Sequence, residues 1–285
     1  MKKTIKTICL ALVSAISLSA VQAQALKVPA PSPLQTMKQA FALSEIGIEY
    51  YRPGAKGRVV FGDVVPFGKI WRTGANGATK ITFGEDVKVE GTSVKAGTYA
   101  LYSIPNKDNW EMMLYSDLKL GGDVASYDKA FEVLRFTVKT KALSDKVETF
   151  TINVADITAS SANIELSWEN TRVAFNVVAD IDAAIMASID KAINKDSKPY
   201  YQAASYYYDN NKDMKVALEW INKAVEQNPK AYWVMLLKAK IELKNGDSKA
   251  CITSCDKVIL MATEGKNDDY VKMAEKLKEE AKKAK

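Results

Sequence analysis

Three arginines and a glutamate fall inside one glycine-rich stretch: Glu49, Arg52, Arg58 and Arg72, accompanied by Tyr51, Thr73 and Asn76. Guanidinium forks match carboxylate and phosphate geometry, so this set suits recognition of a small anionic or sugar-like ligand. The first expectation is a polar pocket lined by Glu49, Tyr51, Arg52, Arg58, Arg72, Thr73 and Asn76. The same residues have a second use, in which Glu49 and the arginines pair with each other and pin the long glycine-rich connections. Acid–base hydrolysis would instead need a carboxylate converging with Arg72 and Asn76 in a concave pocket. Candidate acids are Glu49, Asp63, Glu85 and Asp86, whose places in the sequence give no separation across a cleft.

The chain has 285 residues and no histidine. His-based triads, HExxH zinc sites and a His general base are therefore excluded. Gly57, Gly62, Gly68, Gly74 and Gly77 match no P-loop or dinucleotide fingerprint and read as turns and bulges. Asp209 to Asp213 lacks the glycine and terminal glutamate of a calcium loop. No metal and no cofactor is implied. Cys251 and Cys255 are four apart on an expected helix and share a face; a bridge would strain that helix, so both read as small core residues. A run of tyrosines, Tyr200, Tyr201, Tyr206, Tyr207 and Tyr208, covers more than one helical face. Tyr201, Tyr207 and Tyr208 are expected to offer an aromatic groove to a protein or peptide partner, with packing against the β region as the other use.

Two textures of chain position these residues. From about Thr36 to Ala179, β-branched and aromatic runs alternate with turn residues, as in an all-β sandwich. Ile46 to Tyr51 alternates and stops at Arg52-Pro53-Gly54; Thr79 to Phe83 and Val87 to Glu90 are short strands; Gly97 to Ile104 and Trp110 to Tyr115 form a hairpin. Phe131 to Lys141, Val147 to Ala155, Ala162 to Trp168 and Thr171 to Val178 are expected to form a four-strand meander, and a helical stretch is possible near Ser126 to Leu134. After Asp180 the hydrophobic period changes from two to about 3.6. All five arginines precede that point, and lysine alone follows it. The expected architecture is two-domain: an N-terminal all-β sandwich over 36–179, then C-terminal α-helical repeats over 180–285.

In the helical half, a 34-residue frame from Lys198 places Tyr201, Ala204, Ser205 and Tyr208 on one helix, Ala217, Ile221 and Ala224 on the next, and Pro229 at the close. This resembles the tetratricopeptide pattern. The expected repeats are 198–231 and a degenerate 232–264, with flanking helices over 181–194 and 268–283. Grooves of such repeats are general peptide-binding surfaces.

The β half carries a more specific set: Tyr50-Tyr51-Arg52-Pro53, Gly57-Arg58, Phe61-Gly62, Trp71-Arg72-Thr73-Gly74-Ala75-Asn76, then Lys95 to Tyr99 and Ile104-Pro105 with Trp110. Over roughly residues 30 to 178 it resembles a bacterial family, the domain of unknown function 2911. The resemblance implies a fold and no reaction.

Met1 to about Ala23 reads as a secretory signal peptide: Lys2, Lys3 and Lys6, an apolar stretch from Ile8 to Leu18, and small residues before Gln24. Residues 24–35 are an expected linker. Cleavage reduces 40 basic residues to 37 against 34 acidic ones, a net charge of +3. That is too weak to imply nucleic acid or an anionic membrane. No later segment is long and uncharged enough to span a bilayer. The periplasm is the expected compartment. The leading expectation is an exported binding or scaffold protein whose helical repeats recruit a partner; the alternative is an envelope hydrolase with its site between Glu49 and Asn76.

Overall fold

The computed structural model describes residues 28–193 and 198–284. The expected signal peptide and the first part of the expected linker lie outside the described residues. The chain divides between Val177 and Val178 into two compact units.

The first unit is built from antiparallel sheets. Strands β1 (Leu34–Phe41), β2 (Ser44–Tyr51), β3 (Thr79–Phe83), β4 (Val87–Val89), β5 (Thr92–Val94), β6 (Gly97–Pro105), β7 (Asn109–Tyr115), β8 (Glu132–Lys139), β9 (Lys141–Ala155) and β10 (Ser161–Ala179) follow in chain order. They form a six-stranded sheet, β1-β2-β3-β6-β7-β8, and a four-stranded sheet, β5-β4-β10-β9. Period-two alternation decides which face is buried. In β10 every second residue from Ala162 to Trp168, then Val173, Phe175 and Val177, is buried. The sheets pack face to face through Tyr50 against Phe150 and Phe136 against Phe175, with ring centroids 5.8 and 5.2 Å apart. The Tyr50 hydroxyl reaches across to β9, accepting from the Ile152 N–H at 2.9 Å.

Two expectations need correction. The expected four-strand meander is three strands in two different sheets, because β8 pairs with β7 while β9 pairs with β10. The turn expected between Trp168 and Thr171 is a bulge inside β10: Glu169 takes φ +52° and the register against β9 shifts on both sides of it. A bulge restores the inward aim of alternate residues, so Trp168 and Val173 both remain buried. The helical stretch near Ser126 to Leu134 is two single 3-10 turns, Val124–Ser126 and Lys129–Phe131, followed directly by β8. Pairing with β7 and burial of Val138 outweigh local helix preference there.

The connection from Arg52 to Ala78 is long and irregular, and it is tied to both sheets. Gly54 bridges Thr149, and the Phe150 N–H donates to the Pro53 carbonyl at 2.9 Å. Val60 N–H donates to the Glu169 carboxylate at 3.1 Å, which gives the β10 bulge a second use. Trp71 then pairs with Ser103 of β6, its N–H donating at 2.7 Å and its carbonyl accepting at 2.9 Å. Phe61 and Trp71 enter an aromatic cluster with Trp110, Phe150 and Trp168, at centroid separations of 4.9 Å (Phe61 to Trp110) and 5.2 Å (Trp71 to Phe150). Each such pair adds about 0.5–1.5 kcal/mol beyond the area it buries.

The second unit is helical: α1 (Asp182–Ile193), α2 (Tyr200–Asp209), α3 (Met214–Gln227), α4 (Tyr232–Lys244), α5 (Ser248–Glu264) and α6 (Asp268–Lys283). Asp213, Asp247 and Asn267 cap α3, α5 and α6 by accepting from backbone N–H groups of the first turn. A cap of this kind contributes about 1 kcal/mol. Small buried residues let the helices approach: Ala204, Ala217 and Ala224 in one cluster, Ala239, Cys251, Ala274 and Ala281 in the next. Among the described residues no helix is long and apolar enough to cross a membrane.

Candidate functional site

The turn from Trp71 to Thr79 holds Arg72 under unusual constraint. Thr73 is fully buried and takes φ +53°, a conformation that a β-branched residue rarely adopts. Its hydroxyl lies 2.9 Å from that of Ser103, also fully buried, and 3.3 Å from the Trp71 carbonyl. The Trp71 indole N–H donates to the Gly74 carbonyl at 2.9 Å, and the Thr79 N–H to the Arg72 carbonyl at 3.1 Å. Gly74 is required at φ +158°, since a Cβ there would sit 3.2 Å from the Tyr51 carbonyl. Backbone strain of this kind costs roughly 1–3 kcal/mol and persists only where surrounding bonds over-determine it.

Beside this turn is a cavity of about 380 Å³. Its walls are apolar, from Pro53, Val64, Val65, Pro66, Ile70 and Ala75, with edges of Trp71 and Trp168. Its charged lining consists of Arg58, Lys69 and Arg72; among the described residues no aspartate or glutamate lines it. Arg58 is partly committed, donating from Nε to the Ala55 carbonyl at 3.0 Å and from one terminal nitrogen to the Gly54 carbonyl at 2.9 Å. Arg72 is not. Its Nε is buried with no hydrogen-bond partner, and among the described residues no acceptor or acid engages the rest of its guanidinium. Leaving a buried donor unsatisfied costs about 1–3 kcal/mol, and more when the group is charged. Three cations therefore line the cavity with no acidic residue among its described lining, so its charge is positive.

The other residues expected at this site go elsewhere. Glu49 pairs with Lys80 at 2.9 Å and, with Tyr51, lines a separate cavity of about 190 Å³ with Gly77, Leu118 and Gly121. Arg52 pins the connection to β9, donating to the Phe150 carbonyl at 3.1 Å and the Thr151 hydroxyl at 2.8 Å. Thr73 is an internal brace, and the Asn76 side chain is exposed. Arg58 and Arg72 are thus brought together, while Glu49 pairs with neither. Lys69 and Trp168 were not among the expected residues. Lys69 is in the same stretch and could have been found by counting every cation rather than the arginines; Trp168 arrives from β10, and no local signal points to it.

In the helical unit Tyr201, Tyr207 and Tyr208 are half-buried and pack on the cluster around Ala204 and Ile221. Tyr207 meets Trp220 with centroids 4.7 Å apart, and the Lys244 ammonium lies 4.5 Å from the Tyr208 ring centroid. Tyr206 donates to Asp182 at 2.7 Å, and Lys212 pairs with the same carboxylate at 2.6 Å. Those two hydrogen bonds, Lys212 first, hold the Asp182 carboxyl below its ordinary range. Cys251 and Cys255 are free and buried, with sulfurs 4.0 Å apart. Burial pushes both thiols up, that of Cys255 to about 12.

The sequence matches no curated protein and no solved structure. Residues 32–177, half of the chain and nearly the whole β unit, match a family described as "Protein of unknown function (DUF2911)", and the chain belongs to that family.

Proposed function

We propose that this is a binding protein without catalytic activity, in which the β unit holds a small anionic ligand in the Arg58–Lys69–Arg72 cavity and the helical unit docks a protein or peptide. The observation that carries the ligand reading is Arg72: a guanidinium with a buried, partnerless Nε, held on a strained turn and facing no acid among the described residues. Sites that bear such costs are commonly those that bind. The hydrolase alternative requires a carboxylate and Asn76 beside Arg72, and the cavity lining supplies neither. Export to the periplasm, through the leader at Met1 to Ala23, is part of the same proposal.

Support for a tetratricopeptide-like reading of the helical unit comes from its internal period. Asp213 and Asp247, the caps of α3 and α5, are 34 positions apart, and so are the buried sets Ala217, Ile221, Ala224 and Cys251, Cys255, Val258. A 34-residue period of helix pairs is the spacing of that repeat.

The test is a thermal-shift panel of carboxylates, phosphates and neutral sugars against the wild type and Arg72→Ala. The expected result is stabilisation of the wild type by anions and no response from Arg72→Ala, whose own melting temperature is unchanged or higher because no partner is lost. Stabilisation by neutral sugars alone, or an anion response retained in Arg72→Ala, would overturn it.

A further inference from the structure

The charge count and the walls of the arginine cavity narrow its ligand further. We infer that it takes a phosphate monoester carrying an apolar group, rather than a carboxylate or free inorganic phosphate; this rests on the anion-binding reading above. A carboxylate brings one negative charge and two oxygens, enough for one guanidinium fork. With one carboxylate bound, two of the three lining cations, Arg58, Lys69 and Arg72, would still lack a counter-charge. A phosphate monoester brings a charge of about −1.5 to −2 at neutral pH and three acceptor oxygens, which matches three donors on three side chains. Arg58 fits this division of labour. Its Nε and one terminal nitrogen are spent on the Ala55 and Gly54 carbonyls, so it presents a fixed, partial fork, while Arg72 has a partnerless Nε and, among the described residues, no acceptor on its terminal nitrogens.

Apart from Ser32 and Gly74, the rest of the lining argues against a bare ion. Pro53, Val64, Val65, Pro66 and Ile70 offer no hydrogen bond from their side chains, and a hydrated ion would leave this surface wet. Val64 remains exposed although it lines the cavity, so part of the wall faces solvent until a ligand covers it. Covering such a wall contributes about 25 cal/mol per Å² of apolar surface removed from water. At about 380 Å³ the cavity lies at the small end of ligand sites, which suits a short alkyl or aryl ester or the head and first carbons of a lipid.

Titration calorimetry of the full chain with octyl phosphate, octanoate and inorganic phosphate tests this. Octyl phosphate is expected to bind about tenfold or more tighter than either of the others, and Lys69→Met to erase most of its advantage over octanoate. Equal binding of octanoate, lost in Arg72→Ala, would overturn the phosphate preference while leaving an anion receptor. Equal binding of inorganic phosphate would overturn the apolar part. Silence toward all three would overturn the anion receptor itself. Co-sedimentation with phosphatidate vesicles, abolished by Arg72→Ala, would support the proposal with a lipid as the source; octyl phosphate binding without co-sedimentation would support it with a soluble ester.

Discussion

The hydroxyls of Thr73 and Ser103, both fully buried, lie 2.9 Å apart and join the turn that carries Arg72 to the centre of the six-stranded sheet. Ser103 also exchanges both backbone hydrogen bonds with Trp71, so one residue of β6 holds three points of the turn. Thr73→Val keeps the shape and the strained backbone but leaves the Ser103 hydroxyl without this partner. The expected loss is about 1–3 kcal/mol, read as an earlier denaturant midpoint for the β unit, with anion affinity falling in parallel. Unchanged stability would mean the hydroxyl pair is not what fixes the turn.

Arg52 and Arg72 are expected to separate cleanly. Arg52→Ala removes two hydrogen bonds to β9 and should destabilise the β unit by about 1–3 kcal/mol. Arg72→Ala removes none among the described residues and should leave stability equal or slightly raised. Chemical denaturation of the two variants checks this, and equal losses would contradict the assignment of Arg52 as a pin and Arg72 as a free cation.

Glu49 and Lys80 are each 42% exposed on their side chains, so their ion pair is weak, about 0–1 kcal/mol. Glu49→Gln should change neither the melting temperature by more than about 2–4 °C nor anion binding at the arginine cavity. A loss of binding in this variant would restore Glu49 to the arginine site.

Glu132 ties stability to pH. Its carboxyl is held below the ordinary 4.5, first by the hydrogen bond from Arg135, which also pairs with Glu111 at 2.5 Å. A depressed carboxyl stabilises the fold above its unfolded value, and that contribution disappears as pH falls through the folded value. Arg135→Met should therefore be less stable than the wild type at pH 7, by about 2 kcal/mol, and the difference should close in the acid range below 4.5. Urea midpoints measured at both pH values read this, and a gap that persists in acid would assign the loss to packing instead.

The thiols of Cys251 and Cys255 should be inert in the folded chain. With Cys255 raised to about 12 by burial, thiolate is scarce at pH 8 and access is closed. Alkylation mapped by mass spectrometry is expected to label neither before unfolding and both after it. Both lie in the buried cluster with Met235, Ala239 and Val258, 34 positions after the buried Ala217 and Ile221, so core packing accounts for their burial.

The two-part architecture was legible in the residues because period is local: alternation in β10 and 3.6-residue spacing in α3 are written in consecutive side chains. The glycine-rich stretch was legible as unusual, and its arginines as the residues worth following. Pairing was not. Which sheet received β8 and β9, and whether Glu169-Asn170 turned the chain or bulged within one strand, depended on partners far along the chain. The site divided for the same reason. Glu49 stands opposite Lys80 by register and Arg52 reaches β9, while Trp168 of β10 lines the same cavity as Arg72. Residue types on their own determined that cations were available; only the packing of two sheets decided which of them would be left without a partner, since burial and the competition for acceptors are properties of the assembled fold.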